Sequence, residues 1–192
     1  MKRKNFASVA VLAAAVVLAL ISQTGCKSMT DAEVAAAIEL TDLSTSWTMK
    51  EYRQWPNPKL TLVPTVTFRI RNLTDETLKF ININAIFREE NSIENLGDQF
   101  KAVIRDKGIP PHGTSELITL KSNFGVAGTN LESFRTNPLW RPYDVRLFAQ
   151  MRGSRHVPMG EWKVSKQIDF KEDTAPVPEK KDGAPKEEPI KK

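Results

Sequence analysis

The chain has 192 residues, 40% of them hydrophobic and 27% charged, with a formal net charge of +5 and a single cysteine. Three of its 28 basic residues are Lys2, Arg3 and Lys4, which leaves 25 against 23 acidic ones for the rest of the chain. No run of five basic residues occurs, so the composition excludes an electrostatic footprint for nucleic acid, and a lone cysteine excludes an internal disulfide.

The first element is an address. After the three basic residues, Phe6 to Ile21 is apolar apart from Ser8, the n-region and h-region of a secretory signal. Sixteen helical residues reach about 24 Å, short of the roughly 30 Å hydrocarbon core, so a cleaved signal fits better than a spanning anchor. The run closes on Gln23-Thr24-Gly25-Cys26, which resembles the lipobox of bacterial lipoproteins; Gln23 stands where that pattern usually has an aliphatic residue. The resemblance implies that residues 1–25 are removed and that Cys26 is acylated by a diacylglycerol. The alternative is an ordinary signal followed by a stray thiol. Two or more acyl chains anchor stably where one does not. By analogy with Gram-negative lipoproteins, Lys27 after the cysteine points to the outer membrane, facing the periplasm.

Thr30-Asp31-Ala32-Glu33 has the spacing of a capping box and predicts a short helix over the following residues. Residues 26–37 are thus expected to be a lipid-anchored tether. From Ile38 the period changes to two. "IELTDLSTSW" opens a series of strands, and "PTVTFRIRN" sets Val66, Phe68 and Ile70 against Thr65, Thr67, Arg69 and Arg71. "NLTDET" is turn chemistry, and "LKFININAIFRE" places Ile81, Ile83, Ala85 and Phe87 on one face, so the two segments read as a hairpin. "FKAVIRD", "SELITLK", "YDVRLFAQM" and "EWKVSKQIDF" repeat the pattern. The expected fold is all-β, a single immunoglobulin-like antiparallel β-sandwich of about seven strands over residues 38–170.

After Phe170 the chain reads "KEDTAPVPEKKDGAPKEEPIKK", with four prolines, six basic and six acidic residues and no aromatic. Such a segment buries too little apolar surface to offset its ordering entropy, and residues 171–192 are expected to be a disordered tail.

The "FRIRN" strand ending, "INAIFRE", the turn "IPPHGTSEL" and "KSNFGVAG" before "VRLFAQ" together resemble the YcfL-like bacterial lipoproteins, over roughly Leu60 to Met151. A looser resemblance is to FxLYD-type sandwich domains. The YcfL-like resemblance implies an envelope lipoprotein without an assigned reaction.

Chemistry is sparse. The two imidazoles, His112 and His156, have no nucleophile in a recognisable arrangement, and "HGTSE" is not a nucleophile elbow. Met151, His156 and Met159 could offer soft ligands to copper, but Met151 falls on a core position and Arg152 and Arg155 would repel a cation, so no metal and no cofactor is expected. Glu89 and Glu90 are adjacent on a strand and point to opposite faces. "NLT" at Asn72 matches a glycosylation sequon, which a bacterial signal makes accidental.

One segment stands out. "SNFGVAGTNLESFRTNPLWRP", Ser122 to Pro142, is longer than a sandwich connection needs and carries Phe124, Phe134, Arg135, Trp140 and Arg141. Trp and Arg are enriched at binding hot spots, and loops of this length are usually functional or disordered. The competing reading is that these aromatics cover an open end of the sandwich. Trp55, in "EYRQWPNPK", is a second candidate. The expected function is a non-enzymatic interaction or structural module with an envelope protein as partner. The alternative is a ligand-binding or hydrolytic lipoprotein with an unrecognised site, which a pocket of convergent polar groups with displaced pKa values would favour.

Overall fold

The structure, a computed structural model, describes residues 28–171. Cys26, the signal segment and nearly all of the charged tail lie outside these residues.

A helix, α1 (Asp31–Ala37), opens the chain through a complete capping box. Thr30 Oγ1 accepts from the Glu33 backbone N–H, and the Glu33 carboxylate accepts from the Thr30 N–H at 2.7 Å. Seven residues cannot hold a helix in water alone. Packing holds this one: Val34 and Ala37 are 0% and 1% exposed within the main core. Residues 31–37 of the segment expected as a tether are therefore part of the folded body.

Nine strands follow: β1 (Ile38–Arg53), β2 (Lys59–Asn72), β3 (Ile81–Glu89), β4 (Asn95–Ile104), β5 (Ile118–Lys121), β6 (Val126–Gly128), β7 (Tyr143–Met151), β8 (Val157–Lys163) and β9 (Ile168–Asp169). One sheet has the order β5-β2-β1-β9, with β6 also paired to β2, and the other has β4-β3-β7-β8. All pairs are antiparallel except the two-residue β1–β9 pair. This is the two-sheet sandwich that the alternation predicted, in the immunoglobulin-like arrangement, with β6 as an added short strand. The expected closing strand over "EWKVSKQIDF" is corrected, because its start belongs to β8, which begins at Val157, and its end is β9 in the other sheet. The inward residues of β2 and β3 are those named from the pattern, and they and the alternate residues of β7, Val145, Leu147, Ala149 and Met151, are all buried.

The expected hairpin is corrected. β2 pairs with β1, β5 and β6, whereas β3 pairs with β4 and β7. "NLTDET" thus carries the chain from one sheet to the other. Asn72 explains why: it is fully buried, its Nδ2 donates to the carbonyls of Glu76, Ile109 and Pro110 at 2.7, 3.1 and 2.9 Å, and its Oδ1 accepts from the Thr74 N–H and hydroxyl. The apparent sequon is a buried hub that ties two intersheet loops together.

Pro64 lies inside β2, opposite Trp47 of β1, where a proline usually breaks a ladder. Here its carbonyl accepts from the Ser122 N–H at 3.0 Å on the side where the chain passes from β5 to β6. The N–H that proline lacks would face the same residue, and it is there, between the two short strands, that the ladder is interrupted.

Candidate functional site

The strand registers define two ends. Ile38, Asn72, Ile81 and Met151 mark the end where the chain enters from Ser28, which lies beside Gly153 and shares a depression with Thr74 and Arg152. Arg53, Lys59, Glu89 and Tyr143 mark the other. Beyond Trp47 the β1–β2 pair continues as a long hairpin whose tip carries Trp55, 82% exposed and followed by a cis peptide bond to Pro56.

The Ser122–Pro142 segment packs along this hairpin and is more ordered than a long loop. Gly125 and β6 seat it on Leu62 and Leu60. A Cβ at Gly125 would lie 2.0 Å from the Leu62 carbonyl oxygen, so glycine is required by close approach. A second helix, α2 (Leu131–Arg135), starts at Asn130, whose side chain accepts from the Ser133 N–H at 2.9 Å. The Asn130-Leu131-Glu132-Ser133 spacing is the signal that could have revealed it.

The candidates therefore separate. Phe134 is 1% exposed and presents nothing to a partner. Trp140 is half-buried, with ring centroids 5.9 Å from Phe134 and 6.0 Å from Trp47, both edge-on, and Lys166 Nζ lies 5.8 Å from its ring. Tyr143 completes the cluster against Trp47 at 5.6 Å, and burial pushes its phenol pKa up. These aromatics close the end of the sandwich, the packing alternative raised from the sequence. Arg141 is held by Glu89 at 2.8 Å, and Arg135 is the last residue of α2. Phe124 differs: it is 67% exposed, with Lys50 Nζ 6.0 Å from its ring centroid, and Lys50 donates to the Asn123 carbonyl.

Several exposed apolar residues escaped the sequence reading, two of them at this end. Leu139 and Ile93, 61% and 95% exposed, sit at this same end, where the Glu90 N–H bonds the Pro142 carbonyl. Neither belongs to a periodic pattern, so only the fold reveals their position.

His112 hydrogen-bonds Asp75 at 2.9 Å in an exposed turn, and His156 packs edge-on to Phe100 at 5.9 Å between centroids. Met151 is in the core and does not converge with His156, and among the described residues no three His, Cys, Asp or Glu cluster as metal ligands. Glu89 and Glu90 bond Arg141 and Lys163 respectively, as their opposite directions require. A groove of about 550 Å³ runs between the edges of β4 and β5 past Val103, Ile104, Leu117, Lys101 and Arg105. The groups with displaced pKa values, such as Asp144 raised by burial and Glu161 lowered by its bond from Arg146, lie elsewhere.

Among the described residues no helix is long and apolar enough to cross a membrane. No protein-family model matches the chain, and no curated protein matches it. Solved structures with some similarity include a structural-genomics target designated SoR45 (13% identity, 69% of this chain and 89% of that one, TM-score 0.39). A second is a protein of Arabidopsis thaliana determined in solution (10% identity, 70% and 83%, TM-score 0.41). A third is a β-glucuronidase of glycoside hydrolase family 2, whose chain is only 10% covered (14% identity, 62% of this chain, TM-score 0.37).

Proposed function

We propose that this protein is a lipid-anchored component of the bacterial cell envelope, held through acylated Cys26, that works as a non-enzymatic interaction module facing the periplasm. The order of basic, apolar and small residues before Cys26 supports the anchor, and Lys27 supports the outer membrane. The resemblance to YcfL-like lipoproteins carries the same implication.

The observation that carries the interaction reading is that Trp55, Ile93 and Leu139, at 82%, 95% and 61% exposed, all lie at the end of the sandwich remote from Ser28. Large apolar groups left in water at one end of a folded body are what an interface requires. The aromatic cluster beneath supplies a rigid base, so a partner would meet a preformed surface. A photoreactive residue at Leu139 in living cells tests this. Discrete protein adducts are expected, and an absence of adducts from Leu139 and Trp55 alike would remove the reading. Mass spectrometry of the mature N-terminus tests the anchor separately.

A further inference from the structure

We infer that the end of the sandwich carrying Phe80, Arg105 and Arg152 rests on a bilayer containing anionic phospholipid, with the Phe80 ring at the headgroup boundary. The inference rests on the proposal that Cys26 is acylated and adds to it the orientation and the contact residues.

Chain length supplies the first argument. Ser28 packs beside Gly153 and near Thr74 and Arg152, and only two residue steps, about 7 Å of extended chain, separate it from Cys26. An acyl anchor there leaves the sandwich no room to stand away from the membrane, and the end facing the bilayer is the one formed by the loops after β2, β4 and β7.

The second argument is Phe80. It has a φ of +57° and is 58% exposed. A bulky residue in left-handed backbone is a genuine outlier, and such strain persists where the position serves a purpose. Burial does not recover that cost within the protein, because the ring stands in water. An interfacial aromatic recovers it in lipid.

Charge is the third. Ile81 is in register with Met151 on one side and with Ile104 on the other, so Phe80 is flanked by Arg152 and Arg105 just beyond the strand ends. Arg152 meets Glu76 only at 3.7 Å, while Arg105, Lys79 and Lys107 have no ion-pair partner among the described residues. The opposing carboxylates at this end are Asp31, Glu33, Glu39, Asp75, Glu76 and Asp106, of which Glu39 faces Arg71, Glu76 faces Arg152, Asp75 is hydrogen-bonded to His112 and Glu33 accepts from Thr30; the cations that flank Phe80 itself are Lys79, Arg105 and Arg152. Cations beside an exposed aromatic match an anionic headgroup layer.

The mature full-length protein, reconstituted in vesicles of phosphatidylethanolamine and phosphatidylglycerol, provides the test. Acylation consumes the only native thiol, so Phe80→Cys and Leu139→Cys each accept a single bimane label. Brominated phospholipids should quench the label strongly at position 80 and hardly at 139, and Arg105→Glu should weaken the quenching at 80 in these vesicles but not in phosphatidylcholine alone. Equal quenching at both positions, or none at 80, in protein whose acylation is confirmed by mass would overturn this inference alone. An Arg105→Glu variant indistinguishable from the parent would overturn its electrostatic part. A mature chain without lipid on Cys26 would overturn the anchored reading and this orientation together.

Discussion

Asn72 shows how much one polar residue can hold. Its amide satisfies three carbonyls and two donors in a site with no solvent access. Buried polar groups left without partners cost about 1–3 kcal/mol each, so Asn72→Ala should lower stability by about 3 kcal/mol or more in denaturant titration. Phe134 and Trp55 form a contrasting pair. Phe134→Ala should cost about 3–5 kcal/mol, as deletion of a buried aromatic does. Trp55→Ala should change stability by no more than about 0.5 kcal/mol while reducing partner capture. Asp144 carries a pH signature: burial first, then repulsion from Glu90 and Glu161, outweigh Lys163 and Arg88 and raise its pKa. A raised carboxyl favours folding only while it is protonated, below its unfolded value, and that contribution is lost as pH rises through the folded value. Asp144→Asn should therefore gain stability over the parent at neutral pH, with the gain fading as pH falls below the ordinary carboxylate range.

At the scale of elements, α1 separates a stable domain from a truncated one. Val34 and Ala37 belong to the core, and the Leu73 N–H bonds the Ala37 carbonyl at 2.9 Å. A fragment beginning at residue 28 should melt well above one beginning at residue 38, the boundary that the change of period suggests. Periodicity is local, and it revealed what is local: the inward faces of β2, β3 and β7, and the α1 cap. It could not show that β2 and β3 lie in different sheets, because adjacency in sequence says nothing of which edge a strand joins. Nor could it tell a buried Phe134 from an exposed Phe124, ten residues apart in one irregular segment. Burial there is decided by where β6 docks on β2 and where α2 turns the chain.

For the molecule as a whole, the account gives the sandwich two unlike ends. One is where the described chain begins, at Ser28, and carries Phe80 beside Lys79, Arg105 and Arg152; the other is closed by Trp47, Phe134, Trp140 and Tyr143 and leaves Trp55, Ile93 and Leu139 in solvent. β1, at 16 residues, reaches past the body of the sandwich and lifts Trp55 beyond it. If Cys26 is acylated as proposed, this shape would hold a bound partner at a fixed height above the membrane.

The most direct test of that polarity is photocrosslinking in living cells from Leu139 and from Phe80, one photoreactive residue at a time, with the adducts identified by mass. The account predicts a discrete protein adduct from position 139 and phospholipid adducts from position 80. Phospholipid from position 139, or the same protein from both positions, would contradict it.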